Sequence, residues 1–267
     1  MRVAMAQVAA GTDPSANLET VRTRTRQAAE GGADLVVFPE AMMCRFGVPL
    51  GPVAEPLDGP WADGVRAAAR EAGITVVAGM FTPGDDHGGR RRVVNTLIAA
   101  GPDGSSTHYD KIHLYDAFGF RESDTVAPGE EPRTITVGDV TVGLATCYDI
   151  RFPALFTRLA HDGARVVVVP TSWGSGPGKV EQWQVLTRAR ALDSSTVVVG
   201  VGQPLPTDPA VADSTAPTGV GHSTIADPYG RVLVEYDDAE QIAVHELDLE
   251  PVHTARRDIA VLDNARL

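Results

Sequence analysis

Short runs rich in valine and isoleucine alternate along the chain with longer patterns rich in alanine, leucine and arginine. A short apolar run between glycine or proline residues is typical of a buried strand, and a longer mixed pattern is typical of an amphipathic helix. In the first half, helices are predicted over residues 15–30 and 61–71, and Gly31 and Gly73 end them. Strands are predicted over residues 34–38, 74–79 and 93–100.

The second half repeats this order of elements. Residues 165–170 match the strand at 34–38, because both follow Gly-Ala and both end at proline. Residues 196–200 copy residues 75–79 almost letter for letter. The elements predicted in this half are strands at 140–146, 165–170 and 196–200 and helices at 153–161 and 181–192.

An internal repeat of this kind restricts the architecture. Each half reads as a β-α-β-α-β-β unit, which predicts one sheet with helices on a single face. Packing the two bare sheet faces together gives a four-layer αββα sandwich of the α/β class. We therefore expect one domain over residues 1–267, with residues 204–217 as a surface loop and not a linker.

Charge and cysteine content narrow the possible partners and location. The formal net charge is −12, from 23 basic and 35 acidic residues, which argues against nucleic acid or an anionic membrane as partner. No apolar run approaches the roughly 20 residues that span a bilayer, and residues 3–8 read as a first strand and not as a signal peptide. The two cysteines, Cys44 and Cys147, form no disulfide framework, so we expect a reducing, cytoplasmic location.

Reactive side chains follow three of the predicted strands. Glu40 follows the strand at 34–38, Lys111 follows a predicted hairpin, and Cys147 follows the strand at 140–146 and precedes a helix. Functional side chains of α/β proteins gather at such strand ends. Each residue also has an ordinary interpretation, as a loop ion pair, a lysine with a buried stem or a buried thiol. Cys44 lies in a methionine-rich loop and is interpreted as packing.

Acidic and histidine residues around Lys111 raise the question of a metal. Asp110, His113 and Asp116 flank it, but no spacing of cysteine and histidine in the chain matches a zinc site. Neither a dinucleotide-binding glycine pattern nor a P-loop is present. We therefore expect no metal and no cofactor.

Taken together, the motifs resemble those of the nitrilase superfamily of carbon–nitrogen hydrolases. The resemblance spans nearly the whole chain and implies the αββα sandwich that the repeat predicts independently. By this resemblance, the F-P-E motif supplies a catalytic Glu40, the K-x-H-L-Y-D motif Lys111, and G-L-x-x-C-Y-D-x-R-F-P the nucleophile Cys147. A second family glutamate, in an E-S pair before a P-G turn, matches Glu122.

The chemistry of a thiol nucleophile assigns the remaining roles. A thiol is mostly protonated at neutral pH, so it needs a base, for which Glu40 is suited. Lys111 and, by the resemblance, the backbone N–H of Tyr148 would bind the oxyanion. Glu122 would orient the amide nitrogen or hold Lys111. These roles predict that alanine at Cys147 or at Lys111 abolishes turnover and leaves the fold intact.

The nucleophile motif is similar to that of the branch with ω-amidase and the amidase for deaminated glutathione, which implies a short linear amide bearing a carboxylate. Arg151 is a candidate for binding that carboxylate, or for a structural ion pair with Asp149. Trp173 is a candidate pocket wall, or a core side chain. Residues 176–183 depart from the T-G-x-x-H-W motif of that branch, so the resemblance does not identify the particular substrate of this chain.

Other functions remain open at this point. A nitrilase or an N-carbamoyl hydrolase would use the same glutamate, lysine and cysteine, and a catalytically silent scaffold would keep the sandwich without the reaction. A redox pair of Cys44 and Cys147 is a further alternative. The family resemblance also implies a homodimer, or a higher homo-oligomer, formed through the helical layer of residues 153–161 and 181–192.

Overall fold

Two β-sheets face each other in the computed structural model, which describes residues 1–117 and 119–266. Its helices are α1 (Pro14–Glu30), α2 (Pro60–Ala72), α3 (Pro153–His161), α4 (Lys179–Ser194), α5 (Pro209–Ala212), α6 (Glu250–Asp258) and α7 (Val261–Asn264). The strands are β1 (Arg2–Gln7), β2 (Leu35–Val37), β3 (Thr75–His87), β4 (Arg90–Ala100), β5 (Ser106–Asp110), β6 (Asp116–Ala117), β7 (Phe120–Arg121), β8 (Val126–Ala127), β9 (Arg133–Val137), β10 (Val140–Leu144), β11 (Val166–Thr171), β12 (Val197–Gly202), β13 (Thr224–Ala226), β14 (Val232–Glu235) and β15 (Gln241–Glu246).

The strand order of the two sheets confirms the repeat. The first sheet contains β1-β2-β3-β4-β5 and the second contains β10-β11-β12-β13-β14 in the same relative order. In each sheet the first three of these strands are parallel to one another. The fourth strand pairs antiparallel with the third, and the fifth pairs antiparallel with the fourth. The helices α1 and α2 join the parallel strands of the first sheet, and α3 and α4 join those of the second.

Successive side chains of the central strands pack alternately into the core between the sheets and into a core beneath the helices. In β1, Val3 and Met5 pack between the sheets, while Ala4 packs under the helices of the first half. In β11, Val168 joins the same inter-sheet core and Val167 packs against α3 and α4. Successive residues of a strand point to opposite faces, so strands buried on both sides read as continuous apolar runs. The result is the predicted αββα order of layers.

Local signals determine where the helices begin and end. At the start of α1, Pro14 is the first helical residue, and the Asp13 side chain accepts a hydrogen bond from the Ser15 N–H at 2.8 Å. The helix α2 ends at Gly73, whose φ of 70° lies in the left-handed region that glycine tolerates. The observed α4 extends the predicted 181–192 at both ends, since it begins directly after Gly178 and continues to Ser194, before the left-handed Ser195.

The last strand of the chain lies outside the predicted repeat. After completing the second half, the chain crosses over, and β15 pairs antiparallel with β1 in the first sheet, from Arg2 opposite Glu246 to Gln7 opposite Gln241. This pairing joins the two halves by backbone hydrogen bonds as well as by the shared core. Within the described residues, no helix is long and apolar enough to cross a membrane.

Candidate active site

The three segments with the proposed reactive side chains leave the sheets at one edge. Glu40 follows β2, Lys111 directly follows β5, and Cys147 begins a short 3-10 helix, Cys147–Arg151, after β10. β5 lies two antiparallel pairings away from β3 and therefore runs in the direction of β2, so both strands end on the same side. Glu40 and Lys111 are almost completely buried, at 1% and 2% exposure.

Lys111 lies between two carboxylates. Its Nζ donates to Glu40 Oε1 at 3.1 Å and to both carboxylate oxygens of Glu122, at 3.1 and 3.0 Å. Burial alone lowers the pKa of a lysine, but the charges of Glu122 and Glu40 outweigh it here and raise the pKa of Lys111 well above 10.5. The ammonium is therefore charged throughout the neutral pH range.

Residues of both halves hold the Glu40 carboxylate. Asn95 Nδ2 donates to Oε1 at 2.8 Å, beside the Lys111 ammonium, and the backbone N–H of Ser172 donates to Oε2 at 2.8 Å. The side chain of Gln203 donates to the Glu40 carbonyl at 3.0 Å. These hydrogen bonds fix both oxygens of a buried carboxylate, so Glu40 has a defined orientation towards Lys111 and the second half.

Close backbone packing shapes the turn that presents Glu40. Ala41 has a φ of 58°, which is unusual for a residue other than glycine. Gly79 in β3 lies directly against this turn, and a Cβ on Gly79 would be 2.5 Å from the Ala41 nitrogen. The Met43 N–H donates to the Gly79 carbonyl at 2.9 Å. A side chain at position 79 would therefore displace the turn.

Glu122 belongs to the same buried cluster. Besides both bonds from Lys111, its Oε2 accepts a hydrogen bond from the Tyr115 N–H at 2.6 Å, and its own N–H donates to the Tyr115 carbonyl at 3.1 Å. The carboxylate is thus held by groups of the segment that follows β5. Its contacts in this structure are with Lys111 and this backbone.

Cys147 has a strained backbone and a partly buried side chain. Its φ of 47° lies in the left-handed region, and such outliers are frequent in sharp turns at functional sites. The Glu40 carboxylate and the Thr171 side chain lie close enough to the thiol to change its pKa. Burial and the negative charge of Glu40 raise the pKa of Cys147, while the nearby Lys111 lowers it less. The thiol is consequently protonated at neutral pH, and Glu40 is in position to receive its proton.

Cys44 has different surroundings. It is fully buried, its sulfur lies 3.7 Å from the Thr12 carbonyl and from the Arg45 carbonyl, and burial raises its pKa. Both cysteines are free. These contacts agree with a packing role for Cys44.

The three candidate substrate-binding residues form one cluster beside Cys147. The Arg151 guanidinium lies 5.3 Å from the ring centre of Trp173 and 5.9 Å from that of Tyr148. It donates to Gln182 Oε1 at 2.7 Å. Trp173, 5% exposed, donates through Nε1 to the Lys179 carbonyl at 2.9 Å. Arg151 is therefore a half-buried cation between two aromatic rings, and its guanidinium donates to Gln182 and not to Asp149 in the described part of the chain.

A second cation closes this cluster on its other side. Lys179 Nζ lies 5.8 Å from the ring centre of Tyr115, and the Tyr115 ring packs edge-on against Tyr148 at 5.0 Å. The contacts thus run in a ring from Arg151 through Tyr148, Tyr115 and Lys179 to Trp173 and back. We call these five residues the aromatic–cation ring.

The acidic and histidine side chains around Lys111 have separate partners. Asp110 accepts a hydrogen bond from Thr96 at 2.7 Å, and Asp116 accepts hydrogen bonds from Ser123. His113 contacts Asp149 at 2.7 Å. Within residues 1–117 and 119–266, no three potential metal ligands come together.

Several site residues lie outside the sequence predictions. They are Asn95, Ser172 and Gln203, which hydrogen-bond to Glu40, and Thr171, which lies near the Cys147 thiol. Asn95 carried a weak signal, because it is a polar residue at a buried position within the apolar strand β4. Ser172 acts through its backbone N–H, which no side-chain pattern reveals.

The chain belongs to the carbon–nitrogen hydrolase family, whose model matches residues 2–257. The resemblance inferred from the motifs is thereby confirmed, as is the expectation of an enzyme that cleaves carbon–nitrogen bonds. Individual members of this family are similar to the chain over almost its full length. The chain is 58% identical over 270 residues to a hydrolase of Mycobacterium tuberculosis, with 99% of this chain and 95% of that protein covered.

Two relatives with named activities are more distant. Omega-amidase NIT2 of Mus musculus is 32% identical over 272 residues, covering 99% of this chain and 95% of its own. Deaminated glutathione amidase of Escherichia coli O157:H7 is 32% identical over 270 residues, covering 100% of this chain and 97% of its own.

Solved structures support the same fold. A carbon–nitrogen hydrolase superfamily protein of Xanthomonas campestris with an arsenic adduct in its active site superposes with a TM-score of 0.84 at 25% identity, covering 100% of this chain and 98% of that one. A mutant amidase of Nesterenkonia, in which acrylamide has added to the active-site cysteine, gives a TM-score of 0.77 at 26% identity, covering 97% of this chain and 98% of that one.

Proposed function

We propose that this enzyme is a thiol-dependent amidase that hydrolyses a small linear amide bearing a carboxylate, with Cys147 as nucleophile. The observation that carries the proposal is the proximity of the Cys147 thiol to a buried carboxylate, Glu40, that is itself paired with the Lys111 ammonium. A nucleophile, its base and a cation for the oxyanion are then adjacent. The cysteine that reacts in the Nesterenkonia amidase is a parallel in a protein of similar fold.

The first half of the reaction forms a thioester. Cys147 Sγ bonds to the amide carbonyl carbon as its proton passes to Glu40, and the carbonyl π electrons move to oxygen. The charged Lys111 and the Tyr148 N–H, in the first turn of the 3-10 helix where such groups lack partners within the helix, bind this oxyanion. The carbon–nitrogen bond then breaks, the nitrogen takes the proton from Glu40, and ammonia leaves.

The second half releases the acid. Glu40 removes a proton from water as the water oxygen attacks the thioester carbonyl, and Lys111 and Tyr148 again bind the oxyanion. The carbon–sulfur bond breaks, the proton on Glu40 returns to the departing Cys147 sulfur, and the carboxylic acid dissociates. Because the pKa of the thiol is raised, the sulfur readily takes this proton back.

For Glu122 the contacts favour holding Lys111 over orienting the amide nitrogen. Both of its carboxylate oxygens accept hydrogen bonds from the Lys111 ammonium, and one also accepts a backbone N–H. A carboxylate used in this way keeps the lysine charged and aims it at the oxyanion.

The aromatic–cation ring supports a carboxylate on the substrate. Arg151 presents a guanidinium, which suits a carboxylate through paired hydrogen bonds, and Lys179 adds a second positive charge. The relatives called omega-amidase and deaminated glutathione amidase are consistent with an amide substrate, which we carry over here. Lys179 lies in the segment that departs from the motif of that branch, so the acyl group need not be the same.

A matched pair of amides tests this function. Succinamate and butyramide share a four-carbon backbone and differ by the terminal carboxylate. We expect ammonia release from succinamate with a far higher kcat/KM than from butyramide. No hydrolysis of either amide, together with hydrolysis of 3-cyanopropanoate without succinamate accumulating, would make the enzyme a nitrilase, and hydrolysis of an N-carbamoyl amino acid alone would make it an N-carbamoyl hydrolase.

Arg151→Gln is expected to weaken succinamate binding selectively. Loss of a charged hydrogen-bond partner is worth about 1.5–3 kcal/mol, or roughly 10- to 150-fold in kcat/KM. Butyramide hydrolysis should be unaffected. The control is Arg257→Gln, which removes an exposed arginine of α6 that pairs with Asp258. Equal losses for both amides would rule out a carboxylate contact at Arg151.

We further propose a homodimer formed through α3 and α4, in the cytoplasm. Two large apolar side chains of α4 are exposed, Val185 at 61% and Leu192 at 45%. Val185→Glu is expected to convert a dimer to a monomer in light scattering. Leu205→Glu changes a similarly exposed apolar residue, 41% exposed, in the loop after β12 and should leave the dimer intact. A monomeric unmodified protein would contradict the proposal.

A further inference from the structure

Asp149 is a fully buried carboxylate that the mechanism above does not use. It is 0% exposed, and its two oxygens accept four hydrogen bonds. Oδ2 accepts from the Tyr109 hydroxyl at 2.7 Å and from the Thr146 N–H at 2.8 Å. Oδ1 accepts from the His113 N–H at 3.0 Å and lies 2.7 Å from His113 Nδ1. A carboxylate only accepts, so Nδ1 carries the proton.

The partners of Asp149 lie on both sides of the two reactive residues. Tyr109 is two residues before Lys111, and His113 is two residues after it. Thr146 precedes Cys147, and Asp149 itself follows Cys147 in the same 3-10 helix. The Asp149 carboxylate therefore links residues on both sides of Lys111 to residues on both sides of Cys147.

Further contacts stiffen this junction. The Tyr109 hydroxyl, which donates to Asp149, also accepts the Ile112 N–H at 3.3 Å. The His113 ring stacks on Phe152, with ring centres 3.7 Å apart and planes 7° from parallel. Phe152 directly follows the 3-10 helix of Cys147. The lysine segment and the nucleophile segment are thus joined by a satisfied buried network as well as by stacked rings, an arrangement that favours one geometry.

We propose that Asp149 is a positioning residue that sets the placement of Lys111 relative to Cys147. The inference rests on the catalytic roles proposed above for these two residues. Lys111 comes from the first sheet and Cys147 from the second, so their separation depends on how the two segments are joined, and Asp149 joins them. Misplacing a catalytic group by about 1 Å costs on the order of 100-fold in rate.

Aspartate suits this position because each of its oxygens faces a backbone N–H, which can only donate, and a second group that donates to a carboxylate. Asparagine has the same shape but replaces one acceptor oxygen with an NH₂ group, which would face two donors whichever way the amide turned. The backbone N–H facing that NH₂ group would lose its acceptor and remain buried and unpaired, and the His113 ring or the Tyr109 hydroxyl would have to change from donor to acceptor.

Tyr109→Phe tests the proposal with a smaller change. It removes the tie to Asp149 on one side of Lys111 and leaves the two hydrogen bonds from His113 on the other side. Tyr109 does not contact the Cys147 thiol through any of its described hydrogen bonds. We expect kcat for succinamate to fall about 10- to 100-fold, as for groups that orient reactive residues, with KM unchanged.

Tyr236→Phe is the matched control. Tyr236 is 4% exposed, packs in the same core between the sheets and bonds through its hydroxyl to His245 Nε2 at 2.8 Å. Each variant loses one buried tyrosine hydroxyl. If the role of Tyr109 were purely structural, both variants would be less stable and their folded forms would have the same kcat. A lower kcat in Tyr109→Phe alone supports positioning.

The outcomes separate this inference from the proposed function. Activity in a Cys147→Ala enzyme would overturn the proposed function. An inactive Cys147→Ala enzyme together with equal kcat in Tyr109→Phe and Tyr236→Phe would overturn only the role of Asp149. Asp149→Asn should lower kcat further than Tyr109→Phe, and if it does not fold, the pair of tyrosine variants still decides the question.

Discussion

Replacing Cys147 with alanine is expected to abolish succinamate hydrolysis and to leave the folded structure intact. Without sulfur no thioester forms, and removing a catalytic nucleophile typically lowers kcat by about 10⁶-fold. The substitution removes one atom from a short turn and leaves the ion pair of Glu40 and Lys111 in place. Ammonia release measures the activity, and thermal unfolding followed by circular dichroism measures the fold.

The second cysteine provides the control for this experiment. Cys44→Ala removes a more deeply buried thiol whose sulfur contacts the Thr12 and Arg45 carbonyls, so it should cost some stability and leave kcat unchanged. Mass spectrometry of rapidly quenched enzyme should detect the acyl group on the wild type and on the Cys44 variant, and not on the Cys147 variant. A Cys147→Ala enzyme with normal turnover would refute the proposed mechanism.

Replacing Lys111 with methionine is expected to abolish turnover and also to destabilise the protein. The motif alone predicts a loss of activity with an intact fold. The structure changes that expectation, because Lys111 separates two buried carboxylates, Glu40 and Glu122. Removing one partner of a buried ion pair costs about 3–5 kcal/mol, since the remaining charge is left uncompensated. Chemical denaturation measures the loss of unfolding free energy.

Controls separate charge from packing in this prediction. Lys179→Met makes the same chemical change in a less buried lysine and should cost much less stability. Adding Glu122→Gln to Lys111→Met should recover part of the loss by removing one of the two carboxylates. If Lys111→Met is as stable as the wild type, the buried ion-pair cluster does not contribute as described.

The pH dependence of this loss follows from the pKa of Lys111. A pKa raised in the folded state contributes stability that is fully present below the unfolded value, about 10.4, and is lost as pH rises through the folded value. The pKa of Lys111 lies well above 10.5. The stability difference between wild type and Lys111→Met should therefore be as large at pH 9 as at pH 7.

The repeat made most of the fold predictable. The near-identical strands at residues 75–79 and 196–200 placed β3 and β12 at equivalent positions, and apolar periodicity located α1 to α4 within a few residues. The pairing of β15 with β1 was not predictable in this way. It joins residues more than 230 positions apart, and periodicity reports which face of a strand is buried but not its neighbour.

The candidate site was predictable to a similar extent. Strand ends and motifs indicated Glu40, Lys111 and Cys147, because a reactive side chain directly after an apolar strand, with polar neighbours, is recognisable from the sequence alone. The groups that orient them left little trace. Ser172 donates a backbone N–H to Glu40, and Gln203 reaches its carbonyl from 163 residues away, so only the folded chain brings them together.

The pairing of β15 with β1 also has a consequence for synthesis on the ribosome. When the first half emerges, β1 lacks its outer neighbour, one face of its sheet is bare, and Glu40 lacks the hydrogen bonds from Ser172 and Gln203. An unpaired strand beside an uncovered apolar face is prone to aggregate. We therefore expect the nascent first half to be prone to aggregate until β15 has been made and has paired with β1.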